Sequence, residues 1–334
     1  MFKTLKILSI GSLIATSSLW AAEPIKRGAE PSIEEYLRRH LRKLDRWNVM
    51  QLLRTERDVD LKQKKRAKSS SNPEELAILA EDEDSGVRYY VASNRHTPLD
   101  VHLLLAQDRE PIVRSGTALT IVYDPRAGKY EKTLIERIGL RLAADNKPLV
   151  RLALANNRYL PNSVYDALAG DGDPLIRQQL AENLKTPKAV LEKLVQDRDE
   201  KVQVTALKHR NLPSVWLVQM SEDHSPLIRQ AICENINTSM NILDKLAADL
   251  EADVRQAVAR HPKTKPKTLR RLVGDAEQKV VLAVAQHPQA DRDILLRLSK
   301  FEEEVAIREI ARERLVPLLK GEIREDVLER WDAQ

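Results

Sequence analysis

The sequence predicts an all-α protein, an α-solenoid of about nine 26-residue two-helix repeats closed by helical caps. Two observations carry the prediction. Asp145, Asp171, Asp197, Asp223, Asp249 and Asp275 recur at one constant interval, and self-similarity at such a period marks an array in which each unit buries its apolar face against its neighbours. The composition agrees: aromatics make up 4% and charged residues 31%, with only 10 glycines in 334 residues, a balance that favours helices throughout.

Residues 1–22 carry Lys3 and Lys6, then an apolar run Ile7–Trp20, then Ala21-Ala22. A short basic start, a short apolar stretch and small residues at its end form the pattern of a secretory signal peptide, and the run falls short of the ~20 residues of a spanning helix. The chain is therefore expected to be exported, periplasmic or secreted, and not an integral membrane protein.

Residues 23–72 are expected to form a helical N-terminal cap and a basic linker. Ser32 and Glu35 make a capping box, and Leu37, Leu41, Leu44, Val49, Leu52 and Leu53 recur near helical spacing. The stretch that follows holds Lys62, Lys64, Lys65, Arg66 and Lys68 and ends in Ser69-Ser70-Ser71. A run of like charge with so little apolar surface reads as a mobile, solvated arm, with an anionic envelope surface as its candidate ligand. The excess of positive charge behind the net +5 lies in segment 1–72, leaving the remainder slightly acidic, which argues against nucleic acid as a partner.

The repeats are expected over 73–315, opening with a half-repeat at Asn72-Pro73 and followed by full repeats from Asp82 and Asp108. Between Asp108 and Asp145 the interval is longer than elsewhere, so the repeat 108–144 is irregular. Its extra length is placed around Tyr123–Tyr130, as a loop. Insertions in solenoids collect on one face, often the binding one, so Tyr123, Arg126, Lys129 and Tyr130 are the candidate partner contacts. Residues 316–334 are assigned to a charged C-terminal cap helix.

Within one repeat, with the aspartate as position 1, proline recurs at position 4 (Pro111, Pro148, Pro174, Pro226) behind a capping residue such as Asp173, and proline suits the first helical turn. Position 6 is always aliphatic, position 11 is mostly alanine, and position 13 is Asn or His in all but one repeat. A second helix is expected to start at Thr-Pro, as at Thr186-Pro187, with Thr as its cap and Pro in its first turn. Position 7 is arginine in Arg88, Arg114, Arg151, Arg177, Arg229 and Arg255. Because Asp145, Asp171 and Asp249 recur in the same frame as Arg151, Arg177 and Arg255, the expected role is a structural ladder, each guanidinium gripping a carboxylate of its own or an adjacent repeat. Gln203 and Val281 break the pattern.

The pattern read from Asp171 through Pro174, Ile176, Arg177, Ala181, Asn183, Thr186, Pro187, Val190 and Leu191 to Leu194 resembles the leucine-rich repeat variant family. The resemblance implies a right-handed superhelix of alternating helices. It carries over no iron–sulfur cluster, since the chain has one cysteine, and no cofactor is expected. Cys233 holds a position where other repeats put alanine, and His209, His261 and His287 share position 13 with Asn94, Asn157, Asn183 and Asn235. All four are read as structural, and with no metal or nucleophile motif the chain is not expected to be an enzyme. The expected function is an exported scaffold for protein–protein or cell-envelope contacts. The alternatives are an enzyme with a cleft at the irregular repeat and an anion- or nucleic-acid-binding solenoid.

Overall fold

The computed structural model describes residues 61–301 and 304–319, with Leu61 as backbone only. The signal segment 1–22, the expected cap helices before residue 61 and residues 320–334 lie outside the described residues.

Among the described residues every regular element is helical. In chain order these are α1 (Leu61–Ser69), α2 (Pro73–Leu79), α3 (Ser85–Ala92), α4 (Leu99–Leu105), α5 (Pro111–Thr120) and α6 (Lys129–Ala143). Then come α7 (Pro148–Asn156), α8 (Asn162–Ala169), α9 (Pro174–Glu182), α10 (Lys188–Leu194), α11 (Glu200–Lys208) and α12 (Ser214–Gln219). A 3₁₀ turn over Met220–Glu222 leads to α13 (Pro226–Glu234), α14 (Met240–Leu246), α15 (Ala252–Arg260), α16 (Pro266–Leu272), α17 (Gln278–Gln286), α18 (Arg292–Leu298) and α19 (Val305–Leu319). The odd-numbered helices stack one on the next from α1 to α19, and the even-numbered ones flank them. The architecture is an α-solenoid of helix pairs.

Its core follows the repeat frame. The aliphatic position 6 (Val87, Val113, Val150, Ile176, Val202, Ile228, Val254, Val280) and the alanines that follow lie inside the odd row. Each such side chain withdrawn from water contributes roughly 1.5–3 kcal/mol. Pro111, Pro148, Pro174 and Pro226 open α5, α7, α9 and α13 as first-turn residues. The Thr-Pro signal works differently from the expectation. Pro98, Pro161, Pro187 and Pro213 themselves occupy the cap position of α4, α8, α10 and α12, with no side-chain cap bond. The threonine turns backwards instead: Thr97, Thr186, Thr238 and Thr264 donate to the carbonyls of Val91, Leu180, Ile232 and Val258 at 2.5–2.6 Å. The last carbonyls of a helix have no partner within it, and the hydroxyl takes one of these, so the residue closes one helix rather than opening another.

Two hydrogen-bond ladders join the repeats. In the first, Nε and Nη2 of Arg88, Arg114, Arg151, Arg177, Arg229 and Arg255 grip both carboxylate oxygens of Asp108, Asp145, Asp171, Asp197, Asp249 and Asp275 at 2.5–3.1 Å. Each guanidinium thus reaches forward to the following repeat, while its Nη1 donates to the backbone carbonyl of its own repeat's aspartate, as Arg177 does to Asp171 at 2.6 Å. The receiving carboxylate also takes the amide two residues on, as Asp197 takes Asp199 at 2.9 Å. Gln203 keeps only the backbone half, donating to Asp197 O at 2.6 Å, so Asp223 receives no guanidinium from that position.

The second ladder runs the other way. Asn183 Nδ2 donates to Ala155 O and Asn157 O at 2.9 and 2.7 Å, and its Oδ1 accepts from Lys185 N at 3.0 Å. Asn94, Asn157 and Asn235 likewise donate backwards to a pair of carbonyls. In the irregular repeat Thr120 stands in, donating to Ala92 O at 2.5 Å, and at the C-terminal end Arg314 closes the row on Ala285 O and Pro288 O.

Histidine serves in the same ladder only when neutral. Nδ1 of His209, His261 and His287 accepts from the amides of Asn211, Lys263 and Gln289 at 3.0–3.1 Å. The proton therefore sits on Nε2, which faces Asn183 O, Asn235 O and His261 O at 3.0–3.1 Å. Burial lowers all three from their ordinary 6.5, against the raising effect of the carbonyl. Below 6.5 the unfolded chain binds protons that the folded chain refuses, so stability falls as pH drops from 6.5 towards the depressed folded values, and these groups add no pH dependence above 6.5. Urea unfolding of H209N/H261N/H287N should show a flatter stability profile between about pH 6.5 and pH 5 than the parent. An equal slope would rule out the neutral-histidine ladder.

Three boundaries move. The basic stretch expected as a mobile linker is helix α1, stacked on α3 as first member of the odd row; Ala67 is fully buried, and its carbonyl and that of Ser70 receive Asn94. The solenoid thus begins no later than α1, ahead of the boundary expected at 73. The extra length of the irregular repeat goes mainly into α6, 15 residues long against 7 for α4, so Lys129 and Tyr130 are helical and the loop is shorter than expected. Finally, α19 runs unbroken through Val305–Leu319, across the line drawn at 315 between repeats and cap.

Candidate binding site

The irregular repeat is where the surface departs from the period. Gly139 of α6 lies so close to α8 that a Cβ there would come within 2.6 Å of Val164 Cγ2. The missing side chain lets α6 pack directly on α8. The segment leading into α6, from Ile121 to Gly128, is tied to the next repeat by Tyr123 N donating to Tyr159 O at 2.7 Å and turns at Asp124–Ala127, where Ala127 N donates to Asp124 O at 3.0 Å.

The side chains of this segment divide between two open grooves. On one side Val122, Asp124 and Arg126 line a groove of about 640 Å³, completed by Arg95, Leu99, His102 and Glu131. On the other, Tyr123 and Pro125 line a groove of about 600 Å³ with Lys132, Arg158, Tyr159, Tyr165 and Lys185. Of the four candidate contacts the structure therefore puts Tyr123 and Arg126 in different grooves. Lys129 and Tyr130 line neither; Tyr130 is 77% exposed at the start of α6.

The first groove has a partly neutralised lining. Arg126 is clamped on Asp124 by two bonds at 3.1 Å, which holds that carboxyl below its usual range. Glu131 accepts from Gly128 N at 3.2 Å. His102 is buried, its Nδ1 has no hydrogen-bond partner, and desolvation pushes it down to about 4, so the ring is neutral at physiological pH. No repeated slot marks it in the sequence, and the periodic reading passes over it.

The second groove is cationic. Arg158 and Lys185 are exposed and form no ion pair among the described residues, and Lys132 acts on Asp124 through space. The one carboxylate in its lining, Glu136, is occupied by the Ser163 hydroxyl at 2.5 Å. Tyr165 forms the buried floor, its phenol raised to about 12 by burial.

The chain is similar to a leucine-rich repeat variant. That solved structure, described as having a novel repetitive structural motif, is 21% identical, with 73% of this chain and 82% of that chain covered at a TM-score of 0.45. An engineered protein of known structure is 12% identical over 81% of this chain and 98% of its own, at a TM-score of 0.31. No family model matches the chain, and no curated protein does. At these values the description of the repeats rests on this chain's own helices and ladders.

The remaining candidates fall into structural slots or open surface. Lys62 stands as far before Asp82 as Arg88 does before Asp108. The Lys64 side chain runs over Gly86, where a Cβ would come within 2.5 Å of its Cε. Arg66 pairs with Glu75 at 2.7 Å, leaving Lys65 and Lys68 exposed. Cys233 is 1% exposed and its thiol is pushed up to about 12 by burial, far from a reactive thiolate. Among the described residues no cluster of His, Cys, Asp or Glu has the makings of a metal site, and no helix is long and apolar enough to cross a membrane.

Proposed function

We propose that the protein is an exported, non-enzymatic repeat scaffold that engages another protein through its irregular repeat, in the periplasm or outside the cell. The observation that carries this reading is the non-helical segment Ile121–Gly128, which interrupts the succession of helix pairs and has a groove on either side. Interruptions of a repeat array map to loops on one face, often the binding one. Exposed Val122 and Tyr159, at 51% and 44%, supply apolar surface in the two grooves, and a rigid stack holds it in place without ordering cost at the moment of binding. Export rests on the pattern of residues 1–22.

The test places a photo-crosslinking amino acid at position 123 or 126 in cells, with exposed position 227, in the first turn of α13 at the opposite edge, as control. Discrete crosslinked species from the first two positions, absent at the third, are expected in the envelope fraction. Identical patterns at all three positions, or a chain confined to the cytoplasmic fraction, would overturn the proposal.

A further inference from the structure

The turns that join odd to even helices differ chemically from those at the opposite end. The residue pairs that follow the Asn/His ladder run from Arg95-His96 through Ile121-Val122, Arg158-Tyr159, Leu184-Lys185, Arg210-Asn211, Ile236-Asn237 and Pro262-Lys263 to Pro288-Gln289. None is Asp or Glu, in a chain whose charged fraction is 31%. Arg95, Arg158, Lys185, Arg210 and Lys263 are all exposed, and among the described residues none has an ion-pair partner. The opposite turns carry the aspartate ladder and further acids such as Asp173, Asp199, Glu251 and Glu277.

Helix dipoles favour cations near helix C-termini, but that does not clear the edge of acids: Glu182 and Glu234 sit in the last turns of α9 and α13. The edge is also held rigid. Asn211 Nδ2 donates to Leu184 O at 3.1 Å, Asn237 Nδ2 to Arg210 O at 2.5 Å, and Gln289 Nε2 to Pro262 O at 3.2 Å. Packed helices lie ~8–10 Å apart, and three residues of a polyproline-II chain advance ~9.3 Å. One carboxylate per turn of such a chain meets one repeat. The Tyr123–Tyr159 groove lies at the same edge, where tyrosine rings beside Pro125, Pro161 and Pro187 make the kind of lining that extended peptides dock against.

We infer that this edge, chiefly Arg158, Lys185 and Arg210, binds an acidic extended segment of a partner protein that seats in the Tyr123–Tyr159 groove. The inference rests on the scaffold reading and names the chemistry of its partner.

The full chain is titrated, by fluorescence polarisation, against labelled (Glu-Pro-Pro)5 and (Gln-Pro-Pro)5 peptides, and by sedimentation against phosphatidylglycerol vesicles. Saturable binding of the acidic peptide is expected, lost in high salt, with at least about ten-fold weaker binding in R158E/K185E/R210E. The opposite-edge variant R109E/R198E should bind as the parent does, and circular dichroism confirms that each variant is folded. Equal binding of both peptides, no binding, an unaffected triple variant, or triple-sensitive binding of vesicles alone would each overturn the inference. If crosslinks at position 123 survive in the triple variant, the acidic-partner inference fails while the scaffold reading stands; their absence in the parent sinks both.

Discussion

Arg177→Ala lowers stability by about 3–5 kcal/mol, the cost of stranding a buried charge, seen as a fall in melting temperature of roughly 10 °C. Arg177 is 3% exposed and its partner side chain, Asp197, is 7% exposed. Burial alone would raise the Asp197 carboxyl; the two bonds from Arg177 and the amide of Asp199 outweigh it and hold the group below its usual range. Removing the guanidinium leaves the carboxylate dry and without its cation, and it also frees Asp171 O, which Nη1 had bound. Arg177→Lys recovers only part of the loss, because an ammonium cannot reproduce the fork that serves two oxygens forward and one behind. The double variant Arg177→Leu/Asp197→Leu costs much less than the single one, since no charge is left stranded. A single variant that melts with the parent would show that the pair contributes nothing.

Asn183→Ala ranks second, at about 2–4 kcal/mol, because it strands buried backbone groups rather than a charge. Two carbonyls, Ala155 O and Asn157 O, and the amide of Lys185 lose the side chain at once; Asn157 O keeps a long contact of 3.4 Å from the Tyr165 hydroxyl. The informative companion is Asn183→His. The array already uses histidine in this slot three times, accepting from the amide with one nitrogen and donating backwards with the other. Chemical denaturation should therefore find Asn183→His well above Asn183→Ala in stability at pH 7.5 and closer to it at pH 5, once the imidazole protonates. If the two variants unfold together at both pH values, the slot is a matter of space and not of hydrogen bonding.

These two ladders also mark how far the sequence could be read. Arg and Asp were recognisable as partners because they keep one frame. The direction was not, since each arginine follows one aspartate closely and precedes the next by a longer stretch of chain, and in fact bonds both. Thr186 was legible as a turn residue but its hydroxyl's target was not, because acceptors and donors of two successive helices lay within plausible reach. The α1 helix was hidden by its lysines, although Ala67 and Asn72-Pro73 anticipate Ala92 and Thr97-Pro98 at one place short of the full period. The grooves were invisible for a different reason. Their walls depend on which side of the Ile121–Gly128 segment each residue faces, and that is set by Tyr123 N meeting Tyr159 O, a contact between neighbouring repeats that no local pattern announces.

The forward and backward bonds have a consequence for how the chain can change length. No ladder bond reaches past the adjacent unit, so deletion of 171–196 would bring Arg151 to Asp197 in place of Asp171 and His209 to Asn157 O in place of Asn183 O, with like groups meeting like. The array is a sentence from which a clause can be cut without disturbing the grammar. The longer irregular repeat obeys the same syntax: α5 still hands Asp145 its arginine, and Asn157 at the end of α7 still reaches back to Ala118 and Ile121. Growth was accommodated in the even row, where α6 is 15 residues long against 7 for α4.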